Sequence, residues 1–305
     1  MGLFFNYIKP GPGVDKNAPQ KKGIFRFFEI FGRKLGMLIK LNMLYFVCSL
    51  PMLLLLFFFF SPTILGLIEN VVKESEIVSE FHVVLTMFFT VTAITLLGSG
   101  PASAAAAYIE RSFFREEHVW LMSDFFEKFK ENFKQAIIVS IISIVAMVAS
   151  FFAIKFYFRQ YFMTGSMIWF ILTLLLGFFI LLFALMHCYI YQLMVTFENK
   201  LFDLYKNAAI LTLSTFPFLL IIALIVTIIA YFIYTPFAPT LTLMLSFLFV
   251  LMYLRFPLEY YAASVIKKKV LDPISEENAN EQTTKKADDA CLEDAQAVNT
   301  DRSDN

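Results

Sequence analysis

The longest stretch of this chain without a charged side chain covers residues 207–254, and a second such stretch covers residues 160–197. As one helix, the longer stretch would extend for about 70 Å, because an α-helix rises about 1.5 Å per residue. The hydrocarbon core of a bilayer is only about 30 Å thick. We therefore divide this stretch into two spans at Thr235-Pro-Phe-Ala-Pro239, where two prolines interrupt the helical pattern.

The sequence predicts an all-α fold with six membrane-spanning helices. Hydrophobic residues make up 59% of the chain, whereas soluble globular proteins contain about 45 to 50%. The predicted spans are 41–60, a span that begins near Val83, 135–154, 168–191 and the two halves of 207–254. They define a polytopic transmembrane helical bundle at residues 41–266. Residues 1–40 form a loop and an amphipathic interfacial helix before it, and residues 267–305 form a basic cluster and an acidic tail after it.

A weak internal repeat groups the six spans into three helical hairpins. Phe133-Lys134-Gln135-Ala136-Ile137 is similar to Tyr205-Lys206-Asn207-Ala208-Ala209, and Ile39-Lys40-Leu41-Asn42 is a looser third copy. Each copy lies at the entry to an odd-numbered span and follows an aromatic, amphipathic helical pattern, which we call an elbow helix. In chain order, the apolar faces of the three elbow helices are Ile24, Phe27, Phe28, Phe31, Leu35 and Leu38; Phe125, Phe126, Phe129 and Phe133; and Phe197, Leu201, Phe202 and Tyr205. Repeats of this kind are common in transporters, but a duplicated hairpin is equally compatible with a protein that transports nothing.

The distribution of lysine and arginine predicts the orientation of the chain. The segments before span one, after spans two and four, and at Lys267-Lys268-Lys269 are basic, whereas the other loops hold few bases. Since basic loops stay in the cytoplasm, we expect a multi-pass protein of the plasma membrane with cytoplasmic termini and elbow helices.

The net charge of zero hides an uneven partition. Residues 1–271 carry +7 from 22 basic and 15 acidic side chains, and residues 272–305 carry −7 from 3 and 10. The acidic tail has too few apolar residues to form a core and is predicted to be disordered. The basic residues are scattered over separate loops, which argues against nucleic acid as a partner.

Small residues dominate one segment, Gly98-Ser-Gly-Pro-Ala-Ser-Ala-Ala-Ala-Ala107. A glycine-proline break followed by small side chains lets neighbouring helices approach closely and satisfy the backbone groups that the proline frees. We expect this segment, with Gly98, Gly100 and Pro101 at its break, to be a packing centre of the bundle.

Ionisable residues are almost absent from the interiors of the predicted spans, where they usually mark function. His187 is the exception, and it is compatible with polar contacts to a neighbouring helix or with the lining of a binding site. A proton- or sodium-coupled carrier would usually need a buried carboxylate, and the sequence suggests none. Arg255 and Glu259 are four residues apart and are expected to form an ion pair at the membrane margin with a structural role.

The charge cluster Arg115-Glu116-Glu117-His118 follows the small-residue segment. We interpret it as a solvated or partner-facing charge run and not as a metal or acid-base site, because no HExxH motif or second ligand group is near it. The three cysteines have no close pair and are expected to be free thiols. No catalytic residue, metal or cofactor is predicted.

Five segments carry a pattern that is specific as a set: FFNYIKPGPGVDKNAP, FFEIFGRKLGMLIKLNMLYF, GPASAAAAYIERSFFREEHVWLMSDFFEKFKENFKQA, YQLMVTFENKLFDLYKNA and VIKKKVLDP. Together they resemble the YesL-like family of bacterial membrane proteins, whose function is unknown. The resemblance covers the chain except its acidic tail. It implies a Gram-positive bacterium and gene neighbourhoods for sugar uptake and polysaccharide breakdown, and it implies no activity.

The resemblance also marks individual positions. The family-typical residues present in this chain are Gly100, Pro101, Arg111, Arg115, Glu116, Glu117, His118, Asp124, Lys134, Lys206, Asn207 and Ala208. Ser112 stands where the family pattern has asparagine, and Gln192 and Ala262-Ala263-Ser264 stand where proline is frequent. These departures concern local helix geometry.

Three classes of function are compatible with these features. The leading hypothesis is a non-catalytic accessory protein of a carbohydrate uptake or utilisation system, which binds a sugar permease or a membrane sensor through its cytoplasmic elbow helices. The second is a transporter for a sugar or another small solute, with a path near the break at residues 98–101. A membrane enzyme comes last, because no two acid-base groups share a face or loop at a workable spacing. The lipid bilayer is the partner that hydropathy itself predicts, and the oligomeric state is left open.

Overall fold

The computed structural model describes residues 23–59, 100–197, 200–234, 241 and 244–276. Every regular element in these ranges is helical, so the all-α prediction is confirmed for them. The elements are α1 (Ile24–Phe59), α2 (Pro101–Arg115), α3 (Leu121–Glu131), α4 (Phe133–Thr164), α5 (Met167–Met194), α6 (Leu201–Tyr234), a π-helical segment (Ser246–Val250), α7 (Leu251–Ile266) and a second π-helical segment (Lys267–Leu271).

Three helices are long and apolar enough to cross a membrane: Phe133–Thr164, Met167–Met194 and Leu201–Ile233. They are α4, α5 and nearly all of α6, and they contain the predicted spans three, four and five. Between 11% and 33% of the most apolar window of each helix is buried inside the protein. The outer faces are therefore covered with apolar side chains, which is typical of an integral membrane protein and unusual on a soluble surface.

The remaining predicted spans are described only in part. α1 is helical through Phe59, over almost all of predicted span one, and residues 244–276 are helical over the end of predicted span six. Gly98, the start of span two, the break at residues 235–239 and the acidic tail beyond residue 276 lie outside the described residues. The count of six spans and their grouping into hairpins stay predictions.

Only one of the three predicted elbow helices is a separate helix. α3 ends at Glu131 and α4 begins at Phe133. Asn132 lies between them, and its side-chain amide donates a hydrogen bond to Lys128 O at 3.0 Å. α1, by contrast, runs without a break from its predicted elbow into span one, and α6 runs without a break from Leu201, inside its predicted elbow, into span five. The reason is that one buried helical face continues across each junction, through Leu38, Leu41 and Tyr45 in α1 and through Leu204, Ala208 and Leu211 in α6.

The close packing of α2 follows from its composition. Pro101 occupies the first turn, where its missing N–H leaves no bond unmade. The side chains of Ala102, Ala104–107 and Ile109 are fully buried. Because these side chains are small, α2 packs against α1, α3, α4, α5 and α7 at once.

A π-helical segment is stabilised from outside by one side chain of α1. π-helical geometry leaves backbone groups without their usual partners. Asn42, which is fully buried, donates from Nδ2 to Ser246 O at 2.8 Å and to Phe247 O at 2.7 Å, and its Oδ1 accepts from Met252 N at 2.8 Å. Asn42 therefore joins α1 to the start of α7 across the interior.

Gly100 precedes α2 in a conformation that few other residues tolerate. Its φ is +62°, and a Cβ placed there would lie 2.5 Å from Ser140 Oγ and 3.3 Å from Ala136 O on α4. Gly165, between α4 and α5, has a similar φ of +64° but has no atom within 4 Å of such a Cβ. Gly165 is in the left-handed α region, with a ψ of 6°, whereas Gly100 has a ψ of −116°, which lies outside that region. Gly100 therefore has the stricter backbone requirement and also needs the space.

We expect Gly100→Ala to destabilise the protein more than Gly165→Ala. Gly100→Ala places alanine at positive φ with a ψ outside the left-handed α region, whereas Gly165→Ala places it inside that region, at a cost of about 1–2 kcal/mol. Only the first also forces atoms into a filled space, which adds about 1–3 kcal/mol. Thermal unfolding of the purified variants in detergent measures the difference. Equal losses of stability would show that the contact with α4 does not constrain position 100.

Candidate functional site

The charge cluster at residues 115–118 lies where α2 ends. Glu116 has a φ of +62° and is the only described non-glycine residue with positive φ. Its N–H bonds to Phe113 O at 3.1 Å, and the N–H of Glu117 bonds to Ser112 O at 3.0 Å. This left-handed cap satisfies the last carbonyl groups of α2 and turns the chain toward α3.

Glu116 is bound within the protein. Its carboxylate forms an ion pair and hydrogen bond with Arg33 and a longer ion pair with Arg26 at 3.7 Å, both on α1. Arg26 also donates to Phe114 O at 3.4 Å and lies over the Phe114 ring. All four residues of the run at 115–118 are exposed, and within it the carboxylate of Glu116 takes its counter-charges from α1.

The rest of the junction is more exposed. Glu117 forms an ion pair with Arg115 at 3.6 Å, with half of its side chain accessible. The His118 ring lies edge-on against the Trp120 ring, with centroids 5.0 Å apart. Trp120 itself is 71% exposed. Large aromatic side chains rarely remain this exposed unless they face a partner or the membrane interface.

α3 is held firmly at its amino-terminal end. The backbone N–H of Trp120 donates to Asp124 Oδ2 at 2.9 Å, and the negative charge of Asp124 in the first turn interacts favourably with the helix dipole. Phe125 is fully buried against the α1, α2 and α7 cluster. The family-typical Asp124 thus has a structural role as a cap of α3.

One face of α3 is unpartnered within the described part of the chain. Met122 and Phe126 are largely exposed on it. A shallow, open cleft on this face is lined by Met122, Ser123, Phe126, Glu127 and Lys130. We call Trp120, Met122, Phe126 and Lys130 the α3 surface.

Two cations flank the ring of Tyr108 on α2. Arg111 donates a hydrogen bond to the Thr196 hydroxyl beyond α5 and lies 5.3 Å from the Tyr108 ring. Burial, helped by the charge of Arg115, lowers the pKa of Arg111 to about 10. Lys128 lies 5.3 Å from the same ring, and its hydrogen bond to Glu131 raises its pKa. Arg111 therefore joins α2 to α5, and Lys128 joins α3 to α2.

Three other sequence-predicted residues lie apart from this surface. Lys134 is exposed in the first turn of α4, and Lys206 and Asn207 are exposed in the second turn of α6. The similar sequences at these positions occupy similar places on two apolar helices, and the structure adds no contact that assigns them a role.

The expected ion pair between Arg255 and Glu259 is present and buried. Arg255 Nη2 lies 2.9 Å from Glu259 Oε1, and Nε donates to the same oxygen at 3.1 Å. Gln192 of α5 donates from Nε2 to Glu259 Oε2 at 2.7 Å and to Ala107 O at 3.2 Å. Arg255 Nη2 also donates to Ser103 O of α2 at 3.0 Å. One guanidinium thus connects α2, α5 and α7.

Glu110 is the residue of this site that the sequence reasoning missed. It is 1% exposed, and its Oε2 lies 3.3 Å from Arg255 Nε. The expectation that the chain offers no buried carboxylate is therefore wrong. A signal was present in the sequence, because Glu110 follows Ala102 and Ala106 at intervals of four and so lies on the same buried stripe of α2.

Two aromatic rings enclose the guanidinium of Arg255. The Tyr45 ring of α1 lies 5.4 Å away, and the Tyr191 ring of α5 lies 6.0 Å away. Their faces carry partial negative charge and stabilise a cation that water does not reach. We call Arg255, Glu259, Glu110 and Gln192 the buried charge cluster.

His187 is bonded on both ring nitrogens. Nε2 contacts Ser143 Oγ of α4 at 2.6 Å, and Nδ1 contacts Phe183 O at 2.8 Å. The contact to a neighbouring helix agrees with the first of its two interpretations. Within the described ranges, no group of three histidine, cysteine, aspartate or glutamate side chains has the arrangement of a metal site.

Residues 81–154 match a family model described as Protein of unknown function, DUF624. The match covers less than half of the chain, and it includes α2, α3 and the larger part of α4. Glu110, residues 115–118 and the α3 surface all lie inside it, whereas Arg255 and Glu259 do not. No curated protein and no solved structure matches the chain.

We expect Glu116→Gln to lower the free energy of unfolding by about 0.5–1 kcal/mol, because it removes a partly exposed pair of ion pairs with α1. Glu117→Gln makes the same chemical change at the next residue, which has no ion pair with α1 among the described residues, and should alter stability by less than about 0.5 kcal/mol. Thermal unfolding in detergent provides both values. The same loss in the two variants would contradict a specific link between α1 and the end of α2.

Proposed function

We propose that this chain is a non-catalytic accessory protein of a carbohydrate uptake or utilisation system. It lies in the plasma membrane as a multi-pass bundle with both termini in the cytoplasm, and it binds a sugar permease or a membrane sensor. The observation that carries the proposal is the α3 surface, an exposed face of aromatic and apolar side chains, bordered by the opposite charges of Glu127 and Lys130, on a helix that is fixed at its amino-terminal end. The sugar context comes from the resemblance to the YesL-like family.

The α3 surface has the composition of a protein interface. Tryptophan, methionine and phenylalanine are enriched where proteins bind each other, because they offer a large contact area. Glu127 and Lys130, which line the same cleft, add opposite charges that can orient a partner with a complementary charge pattern. The buried side of α3, through Phe125, and its cap at Asp124 keep this face in place before a partner arrives. A preorganised surface loses less entropy on binding.

The roles of the conspicuous polar residues support a function in binding more than in catalysis. Glu116 pairs with α1, His187 bonds to α4 and its own helix, and Arg255 is enclosed by protein. None of these groups opens onto the shallow cleft of α3. These polar side chains thus hold helices together, whereas the exposed side chains of the α3 surface are mostly aromatic or apolar.

A transporter is the second candidate, and the buried charge cluster is the observation that favours it. The absence of a buried carboxylate was the strongest sequence argument against an ion-coupled carrier, and Glu110 removes that argument. Buried acidic residues among helices are typical of proton and ion relays. The accessory role still explains the α3 surface better, since a carrier does not need an exposed aromatic face on an interfacial helix.

We expect the double variant Met122→Ala/Phe126→Ala to lose its partner. For the test, cells are grown on the polysaccharide whose breakdown genes neighbour the gene of this protein. The tagged full chain is pulled down from their membranes in mild detergent, and the bound proteins are identified by mass spectrometry. The unchanged protein should recover a sugar permease or membrane sensor in stoichiometric amount. The variant should recover at least about tenfold less, because truncated interface anchors each contribute about 1 kcal/mol or more.

The matched control is Phe162→Ala/Met163→Ala near the far end of α4. Phe162 and Met163 are 46% and 67% exposed, and Phe126 and Met122 are 42% and 63% exposed. The control should bind as the unchanged protein does, and both variants should reach normal levels in the membrane. If the unchanged protein is recovered alone, and purified protein in liposomes takes up an oligosaccharide, the accessory role is wrong and the transporter replaces it.

A further inference from the structure

The buried charge cluster contains more negative than positive formal charge. Glu110 and Glu259 contribute two carboxyl groups, and Arg255 contributes one guanidinium. All three side chains are at least nine-tenths buried. If both carboxyl groups were ionised, one negative charge would be buried without compensation, which is among the most unfavourable arrangements in a protein.

The two carboxyl groups are not equivalent. Both oxygens of Glu259 accept hydrogen bonds, Oε1 from Arg255 and Oε2 from Gln192. Glu110 lies near Arg255 Nε, but that N–H is directed at Glu259, and neither oxygen of Glu110 has a hydrogen-bond partner among the described residues. Hydrogen bonds stabilise the ionised form of a carboxyl group. Glu259 is thus suited to the ionised form, and Glu110 is not.

The unused hydrogen-bonding atoms of the cluster are all acceptors. They are both carboxylate oxygens of Glu110 and Oε1 of Gln192. A buried cluster with surplus acceptors is stabilised by an added donor, and a protonated carboxyl group provides one O–H in place of a charge. One proton therefore corrects both the surplus of negative charge and the surplus of acceptors.

We propose that Glu110 is a buried proton-binding site, which holds one proton at neutral pH while Glu259 is the ionised partner of Arg255. The contact between α2 and α7 then depends on this proton. Its release would bury a second negative charge between the two helices with no cation of its own, and that charge would repel Glu259. This inference concerns the interior of the bundle and does not depend on what binds the α3 surface.

The surroundings of Glu110 offer no second cation in the described residues packed against the cluster. The titratable or charged groups that face it are Arg255 and Glu259 of α7, Tyr45 of α1, and Cys188 and Tyr191 of α5. The tyrosine and cysteine side chains are neutral at neutral pH, so Arg255 alone balances the carboxyl groups.

The sign of the pH dependence follows from linkage. As the pH rises from acidic values, Glu110 of the unfolded chain loses its proton first, and the folded protein still retains it. The folded state then binds more protons than the unfolded state, so its stability falls with rising pH. Glu110→Gln keeps the shape of the protonated group and cannot titrate, so this part of the pH dependence should disappear.

The direct test is infrared spectroscopy of the purified full chain at neutral pH in an alkyl maltoside detergent, which has no ester carbonyl groups that would absorb in the same region. A protonated carboxyl group has a carbonyl stretching band that ionised carboxylates lack. We expect this band in the unchanged protein and in Glu127→Gln, which alters an exposed carboxylate, and we expect its loss in Glu110→Gln. A missing band in the unchanged protein, or a band that persists in Glu110→Gln, would overturn the proposal.

Thermal unfolding at several pH values assigns the proton to one of the two carboxyl groups. Glu110→Gln should unfold close to the unchanged protein at neutral pH, because it imitates the protonated acid, whereas Glu259→Gln should unfold several degrees lower. The opposite order would place the proton on Glu259 and contradict the proposal. Added sodium at fixed pH should leave the infrared band in place, and its loss would show that a metal cation binds Glu110 instead.

Discussion

The burial of one guanidinium group is the constraint on which the arrangement of helices depends. Arg255 cannot leave its charge uncompensated away from water, so α2, α5 and α7 must bring acceptors to it. Ser103 O, Glu259 and Glu110 come from two helices, and Gln192 holds Glu259 from a third. Tyr45 and Tyr191 close the site with their ring faces. The charge fixes the mutual positions of helices that apolar contacts alone would allow to slide.

Close approach makes this arrangement possible. α2 presents small side chains on several faces, so its backbone comes near enough for Ser103 O and Ala107 O to accept bonds from Arg255 and Gln192. At the start of α7, Asn42 forms hydrogen bonds with backbone groups of the π-helical segment and of Met252. Many polar groups of the interior therefore have partners from distant parts of the chain, whereas the two carboxyl oxygens of Glu110 have no hydrogen-bond partner among the described residues. The α3 surface is the exposed side of a helix that packs against this interior through Phe125.

Local sequence patterns predicted what depends on local spacing. Uncharged stretches indicated α4, α5 and α6, and the interval of four residues indicated the pair of Arg255 and Glu259. The same patterns failed where partners are distant in sequence, because Glu110 meets Arg255 across 145 positions and Glu116 meets Arg33 across 83. The predicted boundaries between elbow helices and spans were wrong in α1 and α6 for another reason. A charge pattern marks the membrane interface, whereas a helix continues as long as one buried face continues.

The central claim is that charge compensation of Arg255, and not the shape of its side chain, stabilises the interior of the bundle where α2, α5 and α7 meet. The most direct measurement compares thermal unfolding of Arg255→Met with that of the triple variant Arg255→Met/Glu110→Gln/Glu259→Gln. The single change should cost about 3–5 kcal/mol, because it leaves the ionised carboxylate of Glu259 buried without its cation. The triple variant should recover most of that loss, since no charge is then buried. A triple variant as unstable as the single one would contradict the claim.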